Sequence, residues 1–301
     1  MRVTVTGATG RIGRHVVAAL KERGDEVTAL SRDPDKATEL LGVPAFAWNM
    51  KEDAAPKEAL TGRDAIVHLA GEDVGQRWSK EVKAEILDSR ERGTRNLVHT
   101  IFDTEPRPRA LICASASGYY GACKDEIVDE YAAPGRDWLV DVCIRWERQA
   151  DSAKIGTRTV IVRTGIVLDA EGGALAKMLP PFKAGIGGPI GSGKQYMPWI
   201  HLDDLVGIYL AAIDNPIFQG VINASAPTPV TNKAFAKALG QAINRPAVAP
   251  VPGFTIKLMY GEMSQIVLNG VRMVPGRADE LGYTFKHPDL DEALRDTLAE
   301  D

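Results

Sequence analysis

Three glycines follow the first apolar stretch of the chain at a spacing that suits phosphate binding. Gly7, Gly10 and Gly13 come directly after residues 3–5, which read as a short buried strand. Gly7 permits a sharp turn, Gly10 lets the backbone approach a pyrophosphate, and Gly13 lets the next helix pack close to a sheet. The phosphate charge would then lie on unpaired N–H groups at the start of that helix. The other cofactor-binding residues predicted in this turn are Thr9, Arg11 and Ile12.

The segments around the turn have the order of one βαβ unit. An amphipathic segment at 14–21 and a second apolar strand at 26–30 complete strand, turn, helix and strand within about thirty residues. An ordinary strand–turn–helix corner would also place glycines here. Because both flanks match, the pattern favours a dinucleotide site.

The end of the second strand indicates which dinucleotide would bind. An acidic residue there would hold the ribose 2′-hydroxyl of NAD, whereas this chain has Ser31 and Arg32. A hydroxyl and a guanidinium suit a 2′-phosphate, so NADP(H) is the predicted cofactor. Asp33 leaves an alternative open: it could reach a ribose hydroxyl, or it could cap a helix that begins at Pro34.

The rest of the chain alternates strands and helices up to residue 165. Four further strands are predicted at 43–48, 64–70, 110–114 and 158–163, and the long helices at 79–102 and 139–154. Glycines and prolines are then frequent in residues 172–198, and this segment is predicted to be irregular. A helix at 202–214 and a strand at 220–224 return to the sheet, and helices follow at 231–243, 254–263 and 289–299. These elements predict an α/β fold, a Rossmann-like doubly wound parallel sheet with a smaller discontinuous C-terminal lobe. The predicted domains are 1–166 plus about 202–225 for the sheet, and about 167–201 plus 226–301 for the lobe.

Composition excludes several other classes of protein. The chain has 301 residues and a net charge of -4, so it offers no broad attraction for nucleic acid or an anionic membrane. It has no signal-peptide pattern and no apolar run near ~18 residues, and a cytoplasmic location is expected. Three cysteines without CxxC spacing indicate neither disulfides nor a zinc site, and no metal is predicted.

Several motifs together resemble a known family over nearly the whole chain. The chain resembles the extended and atypical short-chain dehydrogenase/reductases, and within them the epimerase family with a C-terminal module of the DUF1731 type, as in the 39U group. The motifs that carry the resemblance are GATGRIG (7–13), SR (31–32), HLAGE (68–72), RW and SR (77–78 and 89–90), SASGYYG (115–121), WE (146–147), RTGIVL (163–168), GGPIGSGKQYMPWIHLDD (187–204) and PDLDEALRD (288–296).

The resemblance implies further cofactor contacts. Leu69 and Ala70 would line the adenosine side of an NADP site, with Glu85 and Arg90 facing it from the following helix. Val167 would lie against the nicotinamide. Core packing is the alternative for the three apolar residues, and a solvated helix face is the alternative for the two charged ones.

The resemblance also shows what the chain lacks. Typical relatives use a tyrosine and a lysine four residues later for proton exchange, but the corresponding positions here are Leu139 and Cys143. Ser115 corresponds to the substrate-orienting serine of the family, and Tyr119 lies on the same loop. These two are the predicted catalytic residues, although the serine could instead bond the backbone and the tyrosine could pack an interface.

Four other polar positions near the predicted cleft are interpreted as follows. Arg163 is expected to pair internally, or to meet a substrate carboxylate or phosphate. His201 is interpreted as structural, with a role as an acid or base as the alternative. Lys194 and Gln195 are interpreted as rim residues of a substrate cavity.

The sequence therefore predicts an NADP(H)-dependent oxidoreductase or epimerase-like enzyme acting on an unidentified small molecule. A sensor that binds NADP(H) without turnover is the alternative, because the proton-relay pair is missing. Relatives often pair through a long helix like the one at 79–102, so the resemblance also suggests a homodimer; packing of this helix on the sheet is the alternative.

Overall fold

The fold is taken from a computed structural model, which describes residues 1–299. The last two residues of the predicted lobe, 300 and 301, lie outside this part. The strands are β1 Arg2–Thr6, β2 Glu26–Ser31, β3 Ala45–Ala47, β4 Ala65–His68, β5 Ala110–Ala116, β6 Ile127–Val128, β7 Arg158–Thr164, β8 Ile166–Leu168, β9 Tyr196–Met197, β10 Trp199–His201, β11 Gly220–Ala224, β12 Val230–Thr231 and β13 Arg272–Met273. The α-helices are α1 Arg11–Glu22, α2 Pro34–Leu41, α3 Lys80–Phe102, α4 Trp138–Asp151, α5 Gly173–Lys183, α6 Leu202–Asp214, α7 Asn232–Ala242, α8 Gly253–Tyr260, α9 Ser264–Asn269, α10 Gly276–Glu280 and α11 Leu290–Ala299.

Seven parallel strands form the main sheet, in the order β11-β7-β5-β4-β1-β2-β3. All four residues of β4 are buried, as expected for a central strand with helices on both faces. The doubly wound α/β fold predicted from the sequence is confirmed. The strand order reverses between β1 and β4, where ligands bind in folds of this kind.

Local sequence signals explain where the helices that frame this point begin. Asp33, Ser79 and Asp137 each cap the helix that follows, by accepting a hydrogen bond from a backbone N–H three residues later. Pro34 occupies the first position of α2, where its missing N–H leaves no bond unmade.

The structure corrects three sequence predictions. The third strand covers only Ala45–Ala47, not 43–48. The helix predicted at 139–154 gives way after Asp151 to a 3-10 turn, Ser152–Ile155. The segment predicted to be irregular contains α5, with Pro180 and Pro181 inside it, because Leu175, Leu179 and Phe182 recur at helical spacing and are buried.

The lobe has its own apolar core, to which residues from α5, β10, α7 and α11 contribute. Trp199 and Phe235 are its largest fully buried side chains. Among residues 1–299, none of the helices combines the length and apolar character needed to cross a membrane.

Candidate functional site

The glycine-rich turn after β1 lies at the point where the strand order reverses. Gly7 has a φ of +66°, and a Cβ there would lie 2.7 Å from the backbone nitrogen of Ala70. A Cβ on Gly13 would lie 2.2 Å from the carbonyl oxygen of Gly7. Glycine is required at both positions because the turn, the helix and the loop after β4 pack this closely.

The first turn of α1 fits a bound phosphate. Gly10 is the N-cap residue, and no side chain caps the N–H groups that follow. A Cβ built on Gly10 would have only the carbonyl oxygen of Gly7 near it, at 3.1 Å. Uncapped N–H groups at a helix N-terminus attract anions. The residues present therefore fit the pyrophosphate of a dinucleotide.

The end of β2 presents an unpaired arginine. The Oγ of half-buried Ser31 accepts a hydrogen bond of 3.2 Å from the N–H of Asp33. Asp33 in turn accepts a hydrogen bond of 3.1 Å from the N–H of Lys36 and so caps α2. Arg32 is exposed and makes no ion pair with any residue between 1 and 299. Its guanidinium is thus free to receive an anion, while one oxygen of the Asp33 carboxylate is engaged in capping α2.

A buried histidine fixes the loop that carries Leu69 and Ala70. His68 Nδ1 lies 2.7 Å from Thr6 Oγ1, and His68 Nε2 lies 3.0 Å from Thr94 Oγ1. The same Thr6 hydroxyl accepts a hydrogen bond from the N–H of Ala70. Burial lowers the pKa of His68 to about 4, so the ring is neutral near pH 7. The loop is therefore tied to β1 beside the glycine turn.

The two charged residues predicted on α3 have partners within the protein. Glu85 is exposed and forms an ion pair with Lys51. Arg90 donates hydrogen bonds to the carbonyl oxygens of Glu72 and Ile86, and its guanidinium lies 4.9 Å from the Trp146 ring centroid. Burial lowers the pKa of Arg90. In this structure Arg90 supports the loop after β4, and direct cofactor contact by either residue stays a prediction.

Arg11 connects the glycine turn to the loop after β8. Its guanidinium donates two hydrogen bonds to Asp169, of 2.8 and 2.6 Å, and one of 2.6 Å to Glu171. Burial alone would raise the pKa of the Asp169 carboxyl, but the bonds from Arg11 outweigh this and its pKa is lowered. Val167 lies in β8, paired with Ile200, two residues before this ion pair. The segment after β8 is thereby held across the N-terminus of α1.

The positions of the missing tyrosine and lysine are filled by packed apolar atoms. Leu139 and Cys143 lie on the buried face of α4. A Cβ on Gly118 would lie 2.8 Å from Leu139 and 3.7 Å from Cys143 Sγ, so the 3-10 turn Ser117–Tyr120 covers both. Burial raises the pKa of Cys143 to about 12. Cys143 is therefore a buried thiol and not a nucleophile at neutral pH.

The predicted catalytic serine is part of a buried ionic cluster. Ser115 Oγ donates a hydrogen bond of 2.6 Å to Glu147 Oε1. Arg163 holds the same carboxylate with two hydrogen bonds of 2.8 Å. The ring of Tyr119 lies on the Arg163 guanidinium, 3.3 Å from centroid to Cζ. The structure therefore brings Ser115 and Tyr119 to the same cluster, and Arg163 pairs internally as the first of its two interpretations states.

Tyr120 connects the buried ionic cluster around Arg163 to helix α10. Arg163 donates to the Tyr120 hydroxyl at 2.9 Å, and this hydroxyl donates to Asn223 Oδ1 at 2.7 Å. The N–H of Asn223 donates to Glu130, whose other oxygen accepts from the N–H of Arg277. Burial raises the pKa of Tyr120 to about 12. Tyr120 is thus a fixed neutral link between the sheet and α10.

His201 and Asp204 join α6 to the C-terminal segment. His201 is the N-cap of α6, and its Nδ1 accepts a hydrogen bond from the N–H of Asp203. Its Nε2 therefore carries the proton and faces Asp296 at 3.3 Å, so it offers no lone pair to a metal there. The Asp204 carboxylate accepts hydrogen bonds from the N–H groups of residues 286 and 287. His201 has the structural contacts that the sequence suggested.

The two residues interpreted as rim residues differ in placement. Gln195 turns inward and donates to the carbonyl oxygens of Ile190 and Val267. Lys194 is exposed.

Sequence reasoning gave no role to Glu147, Asn223, Glu130 or Asp169. A signal existed for one of them: Glu147 lies four residues after Cys143, on the stripe of α4 that is otherwise apolar. A carboxylate on such a stripe requires a buried cationic partner.

Comparisons with known proteins agree with this architecture. The family model described as "NAD dependent epimerase/dehydratase family" matches residues 3–224, and "Domain of unknown function (DUF1731)" matches residues 251–297. The Arabidopsis thaliana protein "Epimerase family protein SDR39U1 homolog, chloroplastic" is 41% identical over 98% of this chain and 86% of its own length.

Two solved structures are also similar. Human epimerase family protein SDR39U1, crystallised with NADPH, is 34% identical with a TM-score of 0.90, and the match covers 100% of both chains. A nucleoside-diphosphate sugar epimerase from Corynebacterium glutamicum is 31% identical with a TM-score of 0.81, over 100% of this chain and 59% of that one. This chain accordingly belongs to the NAD dependent epimerase/dehydratase family, and to those of its members that carry a C-terminal DUF1731 domain.

Proposed function

We propose that this chain binds NADP(H) at the carboxyl edge of its sheet and acts as an oxidoreductase or epimerase-like enzyme on a small molecule. The exposed Arg32 at the end of β2, which has no ion-pair partner among residues 1–299, carries the proposal, since a guanidinium next to a phosphate turn suits the 2′-phosphate. The similar human protein that was crystallised with NADPH supports the same choice. When bound, NADP(H) would supply or accept the hydride.

Ser115 and Tyr119 are the proposed groups that meet the substrate. The Ser115 hydroxyl donates its hydrogen bond to Glu147. Its oxygen lone pairs therefore remain available to accept a hydrogen bond from a substrate hydroxyl. The Tyr119 hydroxyl makes no hydrogen bond to another residue in the part of the chain that the structure describes. It can therefore donate to a substrate oxygen. Arg163 fixes both side chains through Glu147 and the Tyr119 ring.

One observation favours a second function, a sensor that binds NADP(H) without turnover. The face of α4 that carries the proton relay in typical relatives is apolar here and covered by the turn at Gly118. A protein that only reports the cofactor's redox state has no need for such a relay.

Turnover distinguishes the two functions. Purified protein is mixed with NADPH, binding is followed by nucleotide fluorescence, and a panel of small carbonyl compounds is added. We expect oxidation of NADPH by at least one compound, and loss of this oxidation in Tyr119→Phe with unchanged NADPH affinity. Tight binding without oxidation across the panel would favour the sensor, and no binding would refute both.

A further inference from the structure

Charge is distributed unevenly along this chain. Residues 172–200 and 226–270 together contain six lysines, one arginine and a single acidic residue, Glu262. Seven cations against one carboxylate give these segments a net charge of +6, while the whole chain has -4. The overall value, which predicts no attraction to anionic surfaces, thus averages sequence segments of opposite sign, and the acidic helix α11 packs against α7 of the positive segments.

The same segments expose an apolar surface. On α8, Phe254 is 72%, Leu258 75% and Met259 57% exposed, and Ile256 is the buried member of the helix. Three large apolar side chains on two turns of a surface helix form an unusual concentration. We call this surface, with the residues added below, the basic apolar face.

Backbone contacts bring further apolar and cationic residues to α8. The N–H of Ala249 donates to the carbonyl of Gly187, so the exposed Ile186 and Val248 each precede a residue of this backbone contact. The turn at Gly191 lies next to the start of α8, since a Cβ on Gly253 would be 3.9 Å from Gly191 Cα. The basic apolar face comprises Ile186, Lys194, Lys233, Val248, Phe254, Lys257, Leu258 and Met259.

Three lysines of this face are positioned to meet negative charge. Lys194 follows the turn beside α8, and Lys233 contacts the same turn, since a Cβ on Gly193 would lie 3.0 Å from Lys233 Cβ. Lys257 projects from α8 itself. All three are exposed, and none forms an ion pair with a residue between 1 and 299.

We propose that the basic apolar face docks reversibly on an anionic lipid bilayer. The side chains of Phe254, Leu258 and Met259 would enter the headgroup region, and the lysines would lie against lipid phosphates. The composition favours lipid over an acidic protein, because lysine is depleted at protein–protein interfaces whereas it extends readily to a membrane surface. With 8 residues, α8 is much too short to span a bilayer, so it would lie at the membrane surface.

Sedimentation with lipid vesicles tests the proposal on the full chain. Vesicles of phosphatidylcholine containing about one third phosphatidylglycerol should carry the protein down at low salt, and pure phosphatidylcholine vesicles should not. Lys194→Gln with Lys233→Gln should weaken binding about 25-fold, since one lysine near such a surface contributes about fivefold. Phe254→Ser with Leu258→Ser should weaken it at least ~10-fold. Thermal unfolding verifies that each variant is folded.

Matched controls come from exposed residues outside the face. Ile155→Ser removes an 81% exposed side chain after α4, and Lys36→Gln removes an exposed cation on α2. Neither control should alter vesicle binding. Absence of sedimentation with anionic vesicles at low salt would overturn the proposal. Equal losses of vesicle binding in the face variants and the control variants would also overturn it. If the chain self-associates but does not bind vesicles, and Phe254→Ser with Leu258→Ser abolishes the self-association, the face binds a second copy of the chain. This result would also overturn the proposal.

Discussion

Replacing Arg32 with alanine is the most direct test of the cofactor choice. Its side chain is exposed and has no partner among residues 1–299, so its removal breaks no contact within the protein and should leave stability unchanged. A charge-assisted hydrogen bond to the 2′-phosphate contributes about 1.5–3 kcal/mol. We therefore expect the Kd for NADPH to rise about 10- to 150-fold, and the Kd for NADH, which lacks that phosphate, to change less than about twofold.

Isothermal titration with both nucleotides measures the difference. Arg148→Ala is a matched control, because Arg148 is an exposed arginine with no ion-pair partner in the described residues 1–299. It lies on α4, which packs against β5 and β7 in the half of the sheet away from β2. The control should bind both nucleotides as the original chain does. If Arg32→Ala weakens NADPH and NADH equally, Arg32 does not read the 2′-phosphate and the NADP(H) assignment fails.

Three further changes test contacts at the site. Glu147→Gln removes the charge that balances buried Arg163, and the free energy of unfolding in urea should fall by about 3–5 kcal/mol; a loss below ~1 kcal/mol would contradict the pairing. Because the pKa of His68 falls from 6.5 to about 4 on folding, the unfolded chain binds more protons than the folded chain between these two pH values. Stability should therefore drop as pH falls, by about 2 kcal/mol between pH 7 and 5, with that part of the slope absent in His68→Gln. Arg11→Met releases Asp169, and stopped-flow should show NADPH dissociating about 3- to 10-fold faster; an unchanged rate would mean that the segment after β8 does not confine the cofactor.

The elements of the sheet could be predicted because their signals are local. The helix Leu202–Asp214 and the strand Gly220–Ala224 have the predicted bounds, and Asp33 and Ser79 mark their helices by capping. Glycines and prolines obscured α5, where only the spacing of three buried apolar residues indicated a helix. Strands of two residues, such as β6 and β13, are too short for the alternation of apolar and polar residues to be recognised in the sequence.

The polar cluster could not be predicted in the same way. Ser115, Glu147 and Asn223 are joined through Arg163 and Tyr120, over as many as 103 residues of sequence. Such contacts depend on tertiary packing, which periodicity and capping do not encode. The resemblance predicts Ser115 as a substrate-orienting serine but does not predict that its hydroxyl donates to the buried Glu147 carboxylate.

The arrangement of this cluster limits how a reaction could proceed. Proton exchange from α4 is blocked, since Leu139 and Cys143 are packed beneath Gly118 and the thiol is neutral. On the loop after β5, Tyr119 has a hydroxyl with no hydrogen-bond partner among residues 1–299, and it is the proton donor that we propose. The charge of Arg163 beneath its ring is already balanced by Glu147, so the cluster holds the loop in place without adding net charge to the cleft. A substrate whose carbonyl needs only one well-placed donor suits this site better than a sugar hydroxyl that must lose a proton to a base.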